Sequence, residues 1–319
     1  MSAPNRKSRW ARFVRRVLIT GGLGATFGSP VSAQPRAEGP LVLRLPVSAR
    51  ILALGNAGLT STDADVLLSN PGMLGQARGS AASLQRYGRF ATGGALASVT
   101  TAGVLSVAVG VQFLDYAAPS GRYDDAVQFG ATHLSDGGRM AASSSAFTLG
   151  IARTLLGWRM GGSVKYAEDR LGALHDGTVA VDLGVSKPMG PAALGVVVQN
   201  LGAGPRLGGV RGPLPTRVGV GFGGGGFPLS EQFDIGAQMA VTVEGDGFVR
   251  PAGGAELSWV PIDGVQVVLR EGLRLPREPD ESLVTAGLGL TVDRFSFDYA
   301  LEPMRGGRPV SHRVGLRIR

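Results

Sequence analysis

The sequence has no cysteine. No disulfide framework, thiolate metal site or cysteine nucleophile can be built from it, and no cysteine is present for lipid anchoring. Lysine is nearly absent: Lys7, Lys165 and Lys187 are the only three, so arginine carries the basic charge. Histidine occurs three times, at His133, His175 and His312, each in or beside an expected loop, and no two have metal-ligand spacing. Beyond residue 33 there is no apolar run of 18 or more residues, which excludes a spanning helix. There is no Gly-x-Ser-x-Gly elbow. "GVGFGG" (219–224) matches the dinucleotide fingerprint in form only. Gly225, Gly226 and Pro228 follow where a phosphate-holding helix would have to start. Asp169 with Arg170, and Glu278 with Asp280, read as charged loop tips. No catalytic residue, metal or cofactor is expected.

The first 33 residues read as a secretory signal peptide. Arg6, Lys7, Arg9, Arg12, Arg15 and Arg16 form a basic start without an acid, an apolar stretch runs from Val17, and Val31-Ser32-Ala33 suits cleavage before Gln34. "RRVLIT" is similar to a twin-arginine signal, which would carry a folded soluble protein; an ordinary basic start fits better with the rest of the chain. Those six cations account for most of the net +8 and leave +2 on the remainder, so the high pI gives no reason to expect a nucleic-acid partner. Glycine supplies 51 of 319 residues, roughly twice the usual share. It lacks the collagen period, and 44% hydrophobic residues are too many for a disordered chain. This composition suits tightly curved β structure.

From Ser80 onward the pattern is alternation, which puts residues i and i+2 on one strand face. In 231–245, Phe233, Ile235, Ala237, Met239, Val241 and Val243 share one face, with Asp234, Gln238 and Thr242 on the other. In 177–187, Val179, Val181, Leu183 and Val185 oppose Asp182; in 294–302, Phe295, Phe297, Tyr299 and Leu301 oppose Asp298. No charge falls on the apolar face of these three segments. Lys165, Asp182, Gln199, Asp234, Gln238 and Asp298 are the polar residues expected to face a lumen.

Fourteen strands are expected, near 80–88, 91–100, 103–114, 144–153, 158–168, 177–187, 191–200, 214–223, 231–243, 250–260, 264–274, 283–291, 294–302 and 311–319. A further candidate at 124–132 is assigned to a loop. Several strands approach ten residues, the length of a tilted membrane strand rather than of a soluble one. Tight turns at 154–157, 187–190, 261–263 and 292–294 alternate with longer loops at 115–143, 168–176, 201–213, 244–249, 274–282 and 302–310. Short turns at one end and long loops at the other are the pattern of outer-membrane barrels, as is an even strand number. The expected fold class is therefore all-β: a transmembrane antiparallel up-and-down β-barrel, integral to the outer membrane of a Gram-negative bacterium and in contact with its lipid. An exported soluble β-protein is the alternative of another class.

One stretch breaks the pattern. "ARILALGNAGLTSTDADVLLSNPGMLGQAR" (49–78) contains a short acidic, helix-like piece that must end at Asn70, because Pro71 lacks an N–H and pushes the preceding residue out of the α region. The Asn70 side chain can bond the freed backbone. This stretch resembles the N-terminal segment of the PorV/PorQ family of outer-membrane proteins, related to the FadL-type porins. The matching residues are Ala49-Arg50, Gly55, Asp63-Ala64-Asp65 and Asn70-Pro71-Gly72, with Gly72 standing where the family has alanine. "GGSVKYAEDRLG" and "TVAVDLGV" (161–185), "VVVQNLGAGPRLGG" and "PLPTRVGVG" (196–221), and the terminal "LVTAGLGL", "FSFDYAL" and "HRVGLRIR" are similar to later family motifs in the same order. The sequence ends on Arg319 rather than on the aromatic residue usual in such barrels.

The resemblance implies a small plug inside the barrel, carrying Asp63, Asp65, Asn70, Pro71 and Gly72. The boundaries are then a signal peptide at 1–33, a linker at 34–48, a plug at 49–79 and a barrel at 80–319. A plain turn at the periplasmic rim is the competing reading of the plug. The resemblance also implies transport or secretion across the outer membrane without catalysis. In the PorV branch the partners would be secretion-machinery proteins and secreted cargo of type IX-like secretion. In the FadL branch they would be fatty acids or other hydrophobic small molecules.

Overall fold

The alternating segments pair into strands whose apolar faces all turn the same way. The computed structural model describes residues 39–88, 91–119, 139–279, 281–305 and 310–319. Among these, fourteen antiparallel strands close one barrel. In chain order they are β1 (Gly79–Tyr87), β2 (Ala91–Ala102), β3 (Leu105–Pro119), β4 (Arg139–Leu155), β5 (Trp158–Leu171), β6 (Leu174–Met189), β7 (Ala192–Gly202), β10 (Arg217–Pro228), β11 (Phe233–Glu244), β12 (Val249–Ile262), β13 (Val265–Arg274), β14 (Val284–Val292), β15 (Phe295–Glu302) and β16 (Ser311–Ile318). β1 pairs with β16, Ser80 opposite Ile318, which leaves no free edge. The loop after β7 carries a separate two-residue ribbon, β8 (Arg206–Leu207) with β9 (Val210–Arg211). The expected signal peptide, the candidate strand at 124–132, His133 and Asp280 lie outside the described residues.

The outward face is a belt of exposed aliphatic and aromatic side chains, among them Leu149, Val164, Leu183, Val220, Met239, Leu257, Leu288 and Phe297. Only lipid makes so much exposed apolar surface stable, so the barrel spans a membrane and a soluble β-protein is excluded. Outward charges gather near strand ends: Arg86, Asp115, Glu168 and Arg170 toward the loops, Arg153 and Lys187 toward the short turns. Among the described strands Glu271, between Leu269 and Leu273, is the exception.

Three expectations need correction. First, β3 to β6 run 15, 17, 14 and 16 residues, while β13 to β16 run 10, 9, 8 and 8. The supposed loop at 168–176 is a tight hairpin with Gly172 at φ +58°. Hydropathy alternation stops where the wall leaves the bilayer, but the hydrogen-bond ladder continues with polar residues on both faces. Second, His175, expected in that loop, therefore sits on β6; His312 lies at the start of the expected last strand, its Nδ1 2.6 Å from the Tyr299 hydroxyl. Third, residues 39–48 do not behave as a linker: 41–44 form a 3-10 turn with Val42 and Leu43 buried.

Adjacent residues on β11 test the register. Met239 is 59% exposed on the lipid face near the middle of its strand, and Gln238 is 3% exposed on the inner face. Met239→Arg is expected to cost about 2–4 kcal/mol in the membrane and to cut the yield of heat-modifiable barrel severalfold. Gln238→Arg is expected to assemble normally, because Glu256 and a polar cavity lie beside it. Equal yields of the two on unboiled gels would reverse the assigned faces.

Candidate functional site

The barrel is not empty. Residues 39–78 pass through it as one α-helical turn, α1 (Ala49–Ala53), and 3-10 turns at 41–44, 58–60, 64–68 and 71–73. Helix α1 lies against β13 to β16, turn 58–60 against β7, β10 and β11, turn 64–68 against β1 to β4, and turn 71–73 against β4 to β7. Contacts with all fourteen strands place the segment inside the wall; β12 meets it where Gly254 lies against Leu54 and where Glu256 binds Arg50.

Local chemistry explains why the segment is a chain of short turns. Ser48 caps α1 by accepting from the Ile51 N–H at 3.2 Å, and Gly55 at φ +67° ends it. Asn70 sits before Pro71 in extended conformation; its Oδ1 accepts from the Gly72 N–H at 3.0 Å, and its Nδ2 donates to the Leu59 carbonyl at 2.8 Å. One side chain thus fastens two turns together. Gly72 is required by the wall: a Cβ there would lie 2.6 Å from the Gly184 backbone. The family alanine would not fit this approach without a shift.

Leu52, Leu54, Leu67, Leu68, Met73 and Leu74 are fully buried. Leu67, Leu68, Met73 and Leu74 pack on one another and on small wall residues such as Ala81, Ala97, Ala108 and Ala152, while Leu52 packs with Ala49, Ala53 and Ala300, and Leu54 lies against Gly254. Glycine and alanine on the inner face give the segment its room. Each buried aliphatic side chain contributes about 1.5–3 kcal/mol.

The wall also holds the segment with polar side chains. Gln199 donates to the Leu68 carbonyl at 3.1 Å and Ser186 to the Gly72 carbonyl at 2.8 Å. Arg313 donates to the carbonyls of Pro46 at 2.6 Å and Val47 at 3.0 Å. The densest contact is ionic. Asp63 accepts from Arg50 at 2.8 Å, Arg317 at 2.8 Å and Arg319 at 2.5 Å. Arg50 also reaches Glu256 at 2.5 Å; Arg270 joins Glu256 and Asp298 at 2.7 Å each, and Arg317 joins Asp298 at 2.7 Å. Burial alone would raise the Asp63 carboxyl, but Arg317, Arg50 and Arg319 outweigh it and hold the group well below the usual carboxylate range. Asp65, two residues on, is pushed up to about 6, first by burial and then by repulsion from Asp63.

The six expected lumen residues all sit on the inner face, in different neighbourhoods. Lys165 and Asp182 form a buried ion pair of 2.7 Å beside Asn200. Gln199 binds the segment, and Asp298 belongs to the charge network. Asp234 is half-buried near the short-turn end. Gln238 lines a cavity of about 320 Å³ at that end, with Gln76, Gln266, Ser258, Arg294 and Arg319. Glu256, Arg270, Arg313 and Arg317 were not singled out from sequence, and Arg50 was named only as part of the family motif. A usable signal existed: Glu256 and Arg270 oppose each other on adjoining strands, both in the inward phase.

The two ends of the lumen differ. Near the long loops, Leu41, Val42, Leu43 and Leu45 pack with Tyr87, Leu114, Tyr116 and Leu214. Near the short turns lies the polar cavity. No grouping of three or more His, Cys, Asp or Glu suited to a metal exists among the described residues.

A closed fourteen-strand barrel with a lipid-facing belt is the architecture of an outer-membrane β-barrel. The toluene transporter TodX of P. putida aligns with a TM-score of 0.57 at 10% identity, over 85% of this chain and 97% of that one. The toluene transporter TbuX of Ralstonia pickettii gives 0.56 at 13% identity, over 87% and 100%. The monoaromatic hydrocarbon channel CymD gives 0.53 at 10% identity, over 85% and 96%. At these identities the likeness is one of fold. No protein-family model and no curated protein sequence matches the chain.

Proposed function

We propose that this protein carries small hydrophobic molecules across the outer membrane, with residues 39–78 as the stopper of the path and without catalysis. The observation that carries the reading is the apolar cluster inside the loop-end third of the lumen, where residues 41–45 of the segment meet Leu114 and Leu214. Water-filled porins keep that region polar. The likeness in fold to the toluene transporters supports the same reading. The long loops face the environment, so the apolar region meets an incoming solute first.

A second reading is favoured by the sequence motifs at 49–78, 161–185 and 196–221. It makes the barrel a PorV-like carrier that hands surface-bound cargo onward in a type IX-like secretion system. The test is uptake of radiolabelled toluene and of a long-chain fatty acid by cells with and without the protein. Faster uptake, lost on deletion, is the expected result. Unchanged uptake with secreted proteins retained in the periplasm would replace the first reading by the second.

A further inference from the structure

The fold treats its two neighbouring luminal acids unequally. Asp63 receives three arginines, whereas Asp65 is 2% exposed and neither of its carboxylate oxygens makes a hydrogen bond of acceptable geometry. Ser48, the hydroxyl nearest to serving it, offsets its burial only in part. Asp65 borders a small hollow between the segment and the wall, bounded also by Ser48, Ser83, Ala97, Asp298 and Arg317. The hollow holds about 10 Å³, at the lower limit for one water.

Every charged group that acts on Asp65 is already engaged. Arg50 of α1 is shared by Asp63 and Glu256. Arg317 of β16 is shared by Asp63 and Asp298. Arg313 of β16 is spent on two backbone carbonyls, Gln85 and Ser83. Asp298 of β15 and Asp63 of its own turn repel it. From β1 and β2 the hollow meets only Ala81, Ala82, Ser83, Ala95 and Ala97, and the inner faces of β3 and β4 beside the turn offer Ala108, Gly110, Thr148 and Ala152. No arginine donates a hydrogen bond to the Asp65 carboxylate, although Arg313 acts on it through space and leaves its own Nε unbonded.

We propose that Asp65 is a proton-operated seat for the luminal segment: protonated, it lets residues 39–78 stay packed in the barrel, and ionised, it drives them loose. The proposal deepens the reading of this segment as a stopper and rests on it. The sign follows from burial. The seated carboxyl titrates near 6 against an ordinary value of 3.8, so the seated state holds its proton more tightly than the released one. Seating is strongest in acid and weakens as pH rises through about 6. Between pH 5 and pH 8 the seated-to-released ratio falls by about tenfold.

The chain has no cysteine, so Gln76→Cys, on the half-buried end of the segment, takes a single spin label. In detergent-purified barrel the ratio of mobile to immobile label is expected to rise about tenfold from pH 5 to pH 8, with its midpoint near 6. Asp65→Asn is expected to keep the pH 5 spectrum throughout, and Asp65→Ala serves if the asparagine variant does not assemble. A flat response with Asp65 intact, or a full response without it, overturns the proposal. The label reads the segment alone. A normal pH response without hydrocarbon uptake would leave the seat standing and remove the transport reading.

Discussion

Deleting residues 39–78 is expected to leave an assembled barrel that conducts small ions about tenfold or more above the intact protein. The wall does not need the segment to close. β1 begins at Gly79, and its pairing with β16 and β2 involves no residue before it. Every ladder hydrogen bond of the barrel is made between strands, as spanning structures require. What the deletion removes is the lumen's filling: six fully buried large apolar side chains and the carboxylate that gathers Arg50, Arg317 and Arg319. The inner-face charges left behind, including Arg270, Glu256, Lys165 and Asp182, become hydrated and make the opened path wet. Planar-bilayer conductance measures the opening, and the gel shift on boiling measures assembly. An assembled deletion barrel with unchanged conductance would mean that the segment does not obstruct the path.

The wall was legible in the sequence because two simple physical demands write it there. Lipid on one side and a polar or small-residue lumen on the other impose a period of two, and "EQFDIGAQMAVTVEG" shows the register observed for β11. The loop-side reach of β3 to β6 was not legible, since Glu168, Arg170 and His175 face outward above the bilayer and break the alternation while pairing continues. The break at Asn70-Pro71-Gly72 was legible from the restrictions of proline. The partners were not. Nothing local tells that Asn70 reaches Leu59, or that Gly72 needs Gly184 to be bare, because those contacts depend on how the barrel closes. The charge network was hidden for the same reason: Arg50 and Glu256 lie 206 residues apart.

Asp63 is the residue whose loss should loosen the segment most while leaving the wall intact. Asp63→Asn preserves volume and removes one buried charge, so Arg50 and Arg317 face each other across a neutral amide. Taking one partner from a buried ionic group costs about 3–5 kcal/mol. Here the lower end of that range is expected, because Arg50 keeps Glu256 and Arg317 keeps Asp298. Arg319 is 53% exposed, so Arg319→Gln should change little. The cost should appear as release of the Gln76→Cys spin label at unchanged heat-modifiability, since no ladder bond of the wall runs through Asp63. A further consequence separates ion pairing from mere loss of contact. With Asp63 neutral, the repulsion that adds to burial in raising Asp65 is gone, so Asp65 ionises at lower pH than in the intact protein, while burial, the larger cause, still opposes its charge. An ionised Asp65 then loosens the seat less. Asp65→Asn should therefore strengthen seating at pH 8 less in the Asp63→Asn background than it does alone. A double-mutant cycle in which Asp65→Asn strengthens seating equally in both backgrounds would show that the two carboxyls act independently, and the shared-arginine account of this site would be wrong.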